Sequence, residues 1–574
     1  NSIPLQRADD ASIGPTVQFD RRVPYDAFDC TAALRAGGAE NVLATTLGRG
    51  WFALADGNGQ TDALGYHTIG ARSLRVLVTA ELETLNFTAI TAPTNPTTTP
   101  ATTRRWRLDG NGWKHAEGPI VFDSLFLGTV VDGRRETAGW RDAGFDDAGW
   151  DDALVLHGPR ASNDASTTTS PLLPLTASAP ALVLPELPPI RRLSPHVPVA
   201  ATETAPGVAL LDFGVNMAAT CRIVVDDAAA VTPGHTMTLR RAEGVLDDGR
   251  TLSQTWLLKG ARENCSYTFR ADGTREVYED TFAYFGFRFL EIKGWPGGGA
   301  PPVDAVTCWA THTDLPRTSQ IFFSPPTNNS SGAGARAAAL LNEVQGMIAN
   351  SALSNFHSHP TDCPTREKRG WTGDGGHVAE TLMMNFDMGA AYAKWLTDIN
   401  DAATLSKGVV PEMAPYIFAS RSAANSDPAW GAGFVDLLGW HYRYHGDKAL
   451  LEAHWDAAVS YVDGHLAHYV PNGSALLTTS YPGTRYGDWC APSGEPLSPS
   501  VARHTSNVIS GFFWVRQLEV LAQVARRLGR TAAAASYAAR AASARTQFGA
   551  LYFDAASGVF RDPQWTPVQG PHVF

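Results

Sequence analysis

Asp362-Cys-Pro-Thr-Arg-Glu-Lys-Arg-Gly-Trp-Thr-Gly-Asp374 packs three carboxylates, three cations and one tryptophan between two stretches with helical patterning. Pro364 and two glycines disfavour regular helix, so the segment reads as a loop at a helix mouth. Upstream, Ala335 to Leu353 is Ala/Leu-rich with helical spacing. Downstream, helical stretches are expected over 376–404, 431–445, 448–464, 505–528 and 531–548. Gly446-Asp447 separates one pair and Gly529-Arg530 another. Paired helices with long intervening loops, and no strict sequence repeat, fit an (α/α)6 toroid better than a solenoid.

Working outward, the composition changes near residue 331, and everything before it reads as β-rich. Short runs such as Leu74–Thr79, Ala209–Phe213, Cys221–Val225 and Tyr284–Lys293 alternate with Gly, Pro and Asp turns, the pattern of sandwiches and jelly rolls. A Thr/Pro-rich stretch at 91–103 and a Ser/Thr/Ala-rich one at 160–182 are loops or linkers by composition. The expected organisation is a β-sandwich domain over 1–182, a second β-sandwich domain over 183–316 and a partial (α/α)6 domain over 317–574.

The bulk numbers narrow the function classes. A chain of 574 residues that is 44% hydrophobic can bury several cores. A formal charge of −11 without basic blocks argues against a nucleic-acid partner, and no apolar run is long enough to span a membrane. Sixteen Trp suit either core packing or stacking on sugar rings. Cys30, Cys221, Cys265, Cys308, Cys363 and Cys490 form no metal-type spacing, and their even number does not establish disulfides. Sequons at Asn86, Asn264, Asn328, Asn329 and Asn472 lean toward a secreted protein. His357 and His359 have no third ligand in pattern, so neither a metal nor a cofactor is expected.

The chemistry of the 362–374 segment is that of glycoside hydrolysis, which needs one carboxylic acid to protonate the leaving oxygen and a second carboxylate on the opposite face. Carboxylates that flank one another raise each other's pKa, while Arg366, Lys368 and Arg369 pull the other way. On residue types alone, a solvated charged loop is the competing interpretation.

The whole run resembles the signature of bacterial-type α-L-rhamnosidases, glycoside hydrolase family 78. The resemblance extends along the chain through Tyr25–Leu34, Leu47–Phe52, Gly139–Trp150, Asp212–Met217, Tyr284–Arg288, Asp427–Gly431 and Tyr486–Trp489. It implies cleavage of terminal α-L-rhamnose with inversion, and a carbohydrate substrate as the partner. Glu367 then matches the general acid, Asp362 and Asp374 the carboxylates that hold rhamnose hydroxyls, and Trp371 an aromatic of the sugar site. Arg366 stands in the same signature and is expected to orient a carboxylate. Trp430, Asp488 and Trp489 sit in shorter motifs as further substrate-binding candidates. The family's base, a glutamate on a late barrel loop, finds no match: Glu412, Asp436 and Asp488 do not carry its motif. It is expected beyond Phe574, with the chain a C-terminally truncated form and the toroid incomplete. The competing assignments are another (α/α)6 glycosidase, of α-glucosidase or trehalase type, and a non-catalytic carbohydrate-binding protein.

Overall fold

The computed structural model describes residues 15–17, 21–24, 42–48, 50–51, 81–84, 104–107, 113–153, 181–184, 186–226, 231–253, 263–325, 332–416, 426–477, 486–487 and 499–560. The chain is multidomain: sheet-rich in its N-terminal part, helical in its C-terminal part. A ten-stranded sheet dominates the first part. Its spine is the long strand Val208–Val225, which pairs antiparallel with Phe285–Lys293 and Val306–Thr313. Alternating inward residues such as Leu211, Phe213, Phe285, Phe287 and Leu239 are buried on its core side, as a period of two requires. Cys221 and Cys308 face each other in register and form a disulfide, a pairing that composition had left open. Strands Ile120–Ser124 and Gly128–Asp132 join the same sheet, so it draws strands from both sides of residue 182.

The helical part contains α1 (Ala333–Ser354), α2 (Thr372–Asn385), α3 (Gly389–Leu405), α4 (Pro428–His445), α5 (Lys448–Val462), α6 (Pro499–Arg527) and α7 (Thr531–Tyr552). The expected single stretch over 376–404 is in fact two helices. Phe386 turns to extended backbone and bridges Arg317, and Asp387 accepts from the Gly389 N–H that opens α3. Those local bonds satisfy the helix ends that a continuous helix would have kept internal. Asp427 caps α4 by accepting from the N–H groups of Ala429 and Trp430, with Pro428 in its first turn. Gly446 ends α4 in the left-handed region, and Asp447 caps α5 at once, which makes the hairpin short. Trp395, Tyr392, Phe434, Leu438, Tyr461 and Leu518 fill the core between these helices.

Two close approaches position the site. Helices α2 and α4 touch through glycine: a Cβ on Gly433 would stand 2.2 Å from the Thr372 carbonyl oxygen. This brings the first turns of the two helices together. At the sheet, a Cβ on Gly286 would fall 2.6 Å from Pro364, so the 362–374 segment lies directly on the strand Phe285–Lys293.

Candidate active site

The loop at 362–371 is closed on itself. The Asp362 N–H donates to the Arg369 carbonyl at 3.0 Å, and the Arg369 N–H donates to the Asp362 carboxylate at 2.9 Å. Inside that ring the Glu367 N–H donates to the Cys363 sulfur. The loop's far arm pairs with 412–414 through Thr372 N–H to Glu412 O and Ala414 N–H to Gly370 O, each at 2.8–2.9 Å. The segment is therefore a loop only as far as Trp371. Asp374 belongs to the first turn of α2, where the helix dipole favours a carboxylate.

These bonds gather the carboxylates. Glu367 accepts from the indole N–H of Trp371 at 2.9 Å. Asp362 is pushed up to about 7, first by burial and then by the charge of Glu367. Asp374 rises to about 6 from the surrounding protein and from Glu367; its side chain is exposed, which makes this the weaker of the two shifts. Over a range up to near neutrality Asp362 thus carries a proton and can donate as well as accept.

An aromatic wall stands beside them. Tyr486 packs against Trp430 at 4.6 Å and edge-on to Trp371 at 5.8 Å between ring centroids. It is held there by its N–H to Asp427 and its hydroxyl to Glu412, both at 2.9 Å. The buried Trp430 indole nitrogen has no hydrogen-bond partner among the described residues. Tyr486 and Asp427 stand in the quoted sequence motifs without an assigned role, and Glu412 is there a carboxylate that lacks the base motif. Tyr486 stood two residues from Asp488 in a quoted motif, but only the fold brings it to Glu412 and Trp371. Asp488 and Trp489 lie outside the described residues.

Arg366 faces the sheet side. With Asp362, Asn216, Glu243, Asn350 and Asn355 it lines a cleft of about 340 Å³ between the sheet, α1 and the loop. His357 stacks on Tyr284 at 3.6 Å and its Nε2–H donates to the Thr311 carbonyl at 2.8 Å, as a core residue; burial brings its pKa down to about 3. Asp436 is committed to Arg516 at 2.8 Å. Among the described residues no group of three metal-ligating side chains comes together.

A sheet-rich N-terminal part, a helical part built of hairpins, and a loop that concentrates carboxylates beside tryptophans define the six-hairpin glycosidase class. Comparison with known proteins narrows the class. Residues 6–172 match the α-L-rhamnosidase N-terminal domain, 202–312 the bacterial α-L-rhamnosidase concanavalin-like domain, and 336–567 the bacterial α-L-rhamnosidase six-hairpin glycosidase domain. The chain belongs to the bacterial-type α-L-rhamnosidase family. An α-L-rhamnosidase of Streptomyces avermitilis is 30% identical over 516 residues, 90% of this chain and 42% of that protein. The structure of the Streptomyces avermitilis α-L-rhamnosidase complexed with L-rhamnose superposes with a TM-score of 0.72 at 27% identity, covering 96% of this chain and 46% of that one. The α-L-rhamnosidase from Dictyoglumus thermophilum superposes with a TM-score of 0.73 at 25% identity, covering 95% and 52%. The chain spans about half the length of the relatives it matches.

Proposed function

We propose that this protein removes terminal α-L-rhamnose from glycosides or polysaccharides by inverting acid/base hydrolysis, with Glu367 as the general acid. The observation that carries the proposal is the placement of the Glu367 carboxylate, bonded to the Trp371 indole and near enough to Asp362 and Asp374 to raise both. Asp362 and Asp374 bind sugar hydroxyls, and a protonated Asp362 donates where a hydroxyl oxygen faces it. Arg366 borders them on the sheet side. Trp371 and Trp430 offer the apolar wall that the C5 methyl of a 6-deoxy sugar needs, and Asp488 and Trp489 stay substrate-binding candidates from their sequence motif. Inversion places a water between the sugar and a second carboxylate on the opposite face.

The test is Glu367→Gln on a chromogenic α-L-rhamnoside, with the first-formed anomer followed by proton NMR. The substitution should lower kcat roughly 10²–10⁴-fold while L-rhamnose still binds, since a general acid contributes about that much. The parent should release β-L-rhamnose first. Full activity in the variant, or an α-anomer first, overturns the assignment. Rhamnose binding without turnover by a form that carries the family's late-loop glutamate replaces it with the carbohydrate-binding reading.

A further inference from the structure

Lys368 follows Glu367 in the chain and is directed elsewhere. Glu367 meets Trp371, on the helical side. Lys368 is completely buried, and its Nζ donates to the carbonyls of Leu125 at 2.5 Å and Tyr284 at 2.7 Å, both in the sheet part. Its backbone sits at φ 53°, in the left-handed region that a lysine adopts only when its surroundings over-determine it. The ammonium also lies over the rings of Tyr284 at 4.7 Å and Phe285 at 5.0 Å.

The buried Glu263 carboxyl acts on this ammonium across space, with no hydrogen bond between them. Glu263 is 1% exposed, and neither carboxylate oxygen has a hydrogen-bond partner among the described residues. Burial brings Lys368 down and Glu263 up, each to about 8. Nothing in the rhamnoside chemistry uses either group, so their desolvation has to be offset by something structural that the site requires.

We propose that Lys368, held by the Leu125 and Tyr284 carbonyls with the buried Glu263 near it, is a positioning residue that rivets the signature loop to the sheet and so sets where the Glu367 carboxyl stands. The proposal rests on Glu367 being the general acid. Two facts make the coupling direct. The loop between Asp362 and Arg369 is a closed ring with Glu367 and Lys368 adjacent in it. A second sheet contact, Pro364 and Thr365 against Gly286, holds the preceding limb. Releasing Lys368 frees the limb that carries the acid.

The experiment compares Lys368→Met, Glu263→Gln and Glu367→Gln on two α-L-rhamnosides. One has a 2,4-dinitrophenyl leaving group, which departs without protonation, and the other an alkyl leaving group, which must be protonated. A displaced acid penalises the alkyl substrate selectively. In Lys368→Met its kcat should fall on the order of tenfold or more beyond any fall on the dinitrophenyl substrate, part of the roughly 10²–10⁴ that an acid supplies. KM should change little. Glu263→Gln should show the same split, smaller, and guards against misfolding of the methionine variant. Equal losses on both substrates mean a merely structural lysine and overturn the proposal. If Glu367→Gln itself shows no such split, the acid assignment fails instead. If the parent shows no turnover, amide exchange decides: the Glu367 and Arg369 N–H groups should lose protection in Lys368→Met, and unchanged protection overturns the rivet.

Discussion

Replacing Asp362 by asparagine should flatten the pH dependence of stability near the site, and the size of the effect follows from the structure. The Asp362 carboxyl is held at about 7 against an ordinary value of 3.8, by burial and by Glu367. A folded pKa raised above the unfolded one stabilises the chain fully below the unfolded value. That contribution is lost as pH rises through the folded value, because the folded state then gives up a proton it had been built to keep. The window is therefore about pH 4 to 7. Each unit of gap corresponds to about 1.4 kcal/mol, so moving from about pH 5 to about pH 7 costs the native protein roughly 2 kcal/mol through this group. Asparagine keeps an oxygen for the Arg369 N–H, which now donates at 2.9 Å, and has no proton to lose. Urea unfolding followed by tryptophan fluorescence at both pH values measures the difference. The variant should gain on the parent by about 2 kcal/mol between acid and neutral pH. Parallel stability curves would refute the burial-plus-Glu367 account of this carboxyl.

Three further outcomes follow from named contacts. Trp371→Phe removes the N–H that holds Glu367; a hydrogen bond is worth about 0.5–1.5 kcal/mol net, so kcat/KM should fall roughly 2–10-fold, and an unchanged value would separate the indole from the acid. Asp280→Asn strips the anion from Arg241 where both side chains are fully buried and Asp280 also accepts from Tyr278 and Cys221; circular dichroism should show the sheet losing about 3–5 kcal/mol, and an unshifted midpoint contradicts the pairing. Gly433→Ala drives a methyl into the Thr372 carbonyl and should cost about 1–3 kcal/mol while weakening L-rhamnose binding by calorimetry, since it pushes apart the turns carrying Asp374 and Trp430; unaltered affinity would show that the glycine contact does not shape the site.

Much of the fold is legible because its causes are local. Period-two apolar runs such as 285–293 became strands, and the Ala/Leu-rich start near 335 became α1. Gly446-Asp447 became a C-cap followed by an N-cap. The break at 386–388 escaped notice because it depends on Arg317 and Pro316, distant in sequence. The pairing of strands 120–132 into the ten-stranded sheet was not legible for the same reason: pairing partners are chosen by tertiary packing, not by the strand's own pattern.

The site divides along the same line. Sequence alone determined which groups are present in the 362–374 run, because residue type and spacing are carried by the chain itself. It also set the loop character up to Trp371, through Pro364 and Gly370. Only the tertiary structure decided what those groups do to one another. It put Trp371 on Glu367, raised Asp362 by burying it, moved Asp374 onto the first turn of α2, and brought Tyr486 and Glu412 across to complete the wall. Hydrogen bonds and burial act over a few ångströms in space, whatever the separation in sequence. Lys368 is the clearest case: in the sequence one more cation beside the acid, in the fold a buried anchor reaching Leu125, 243 positions away.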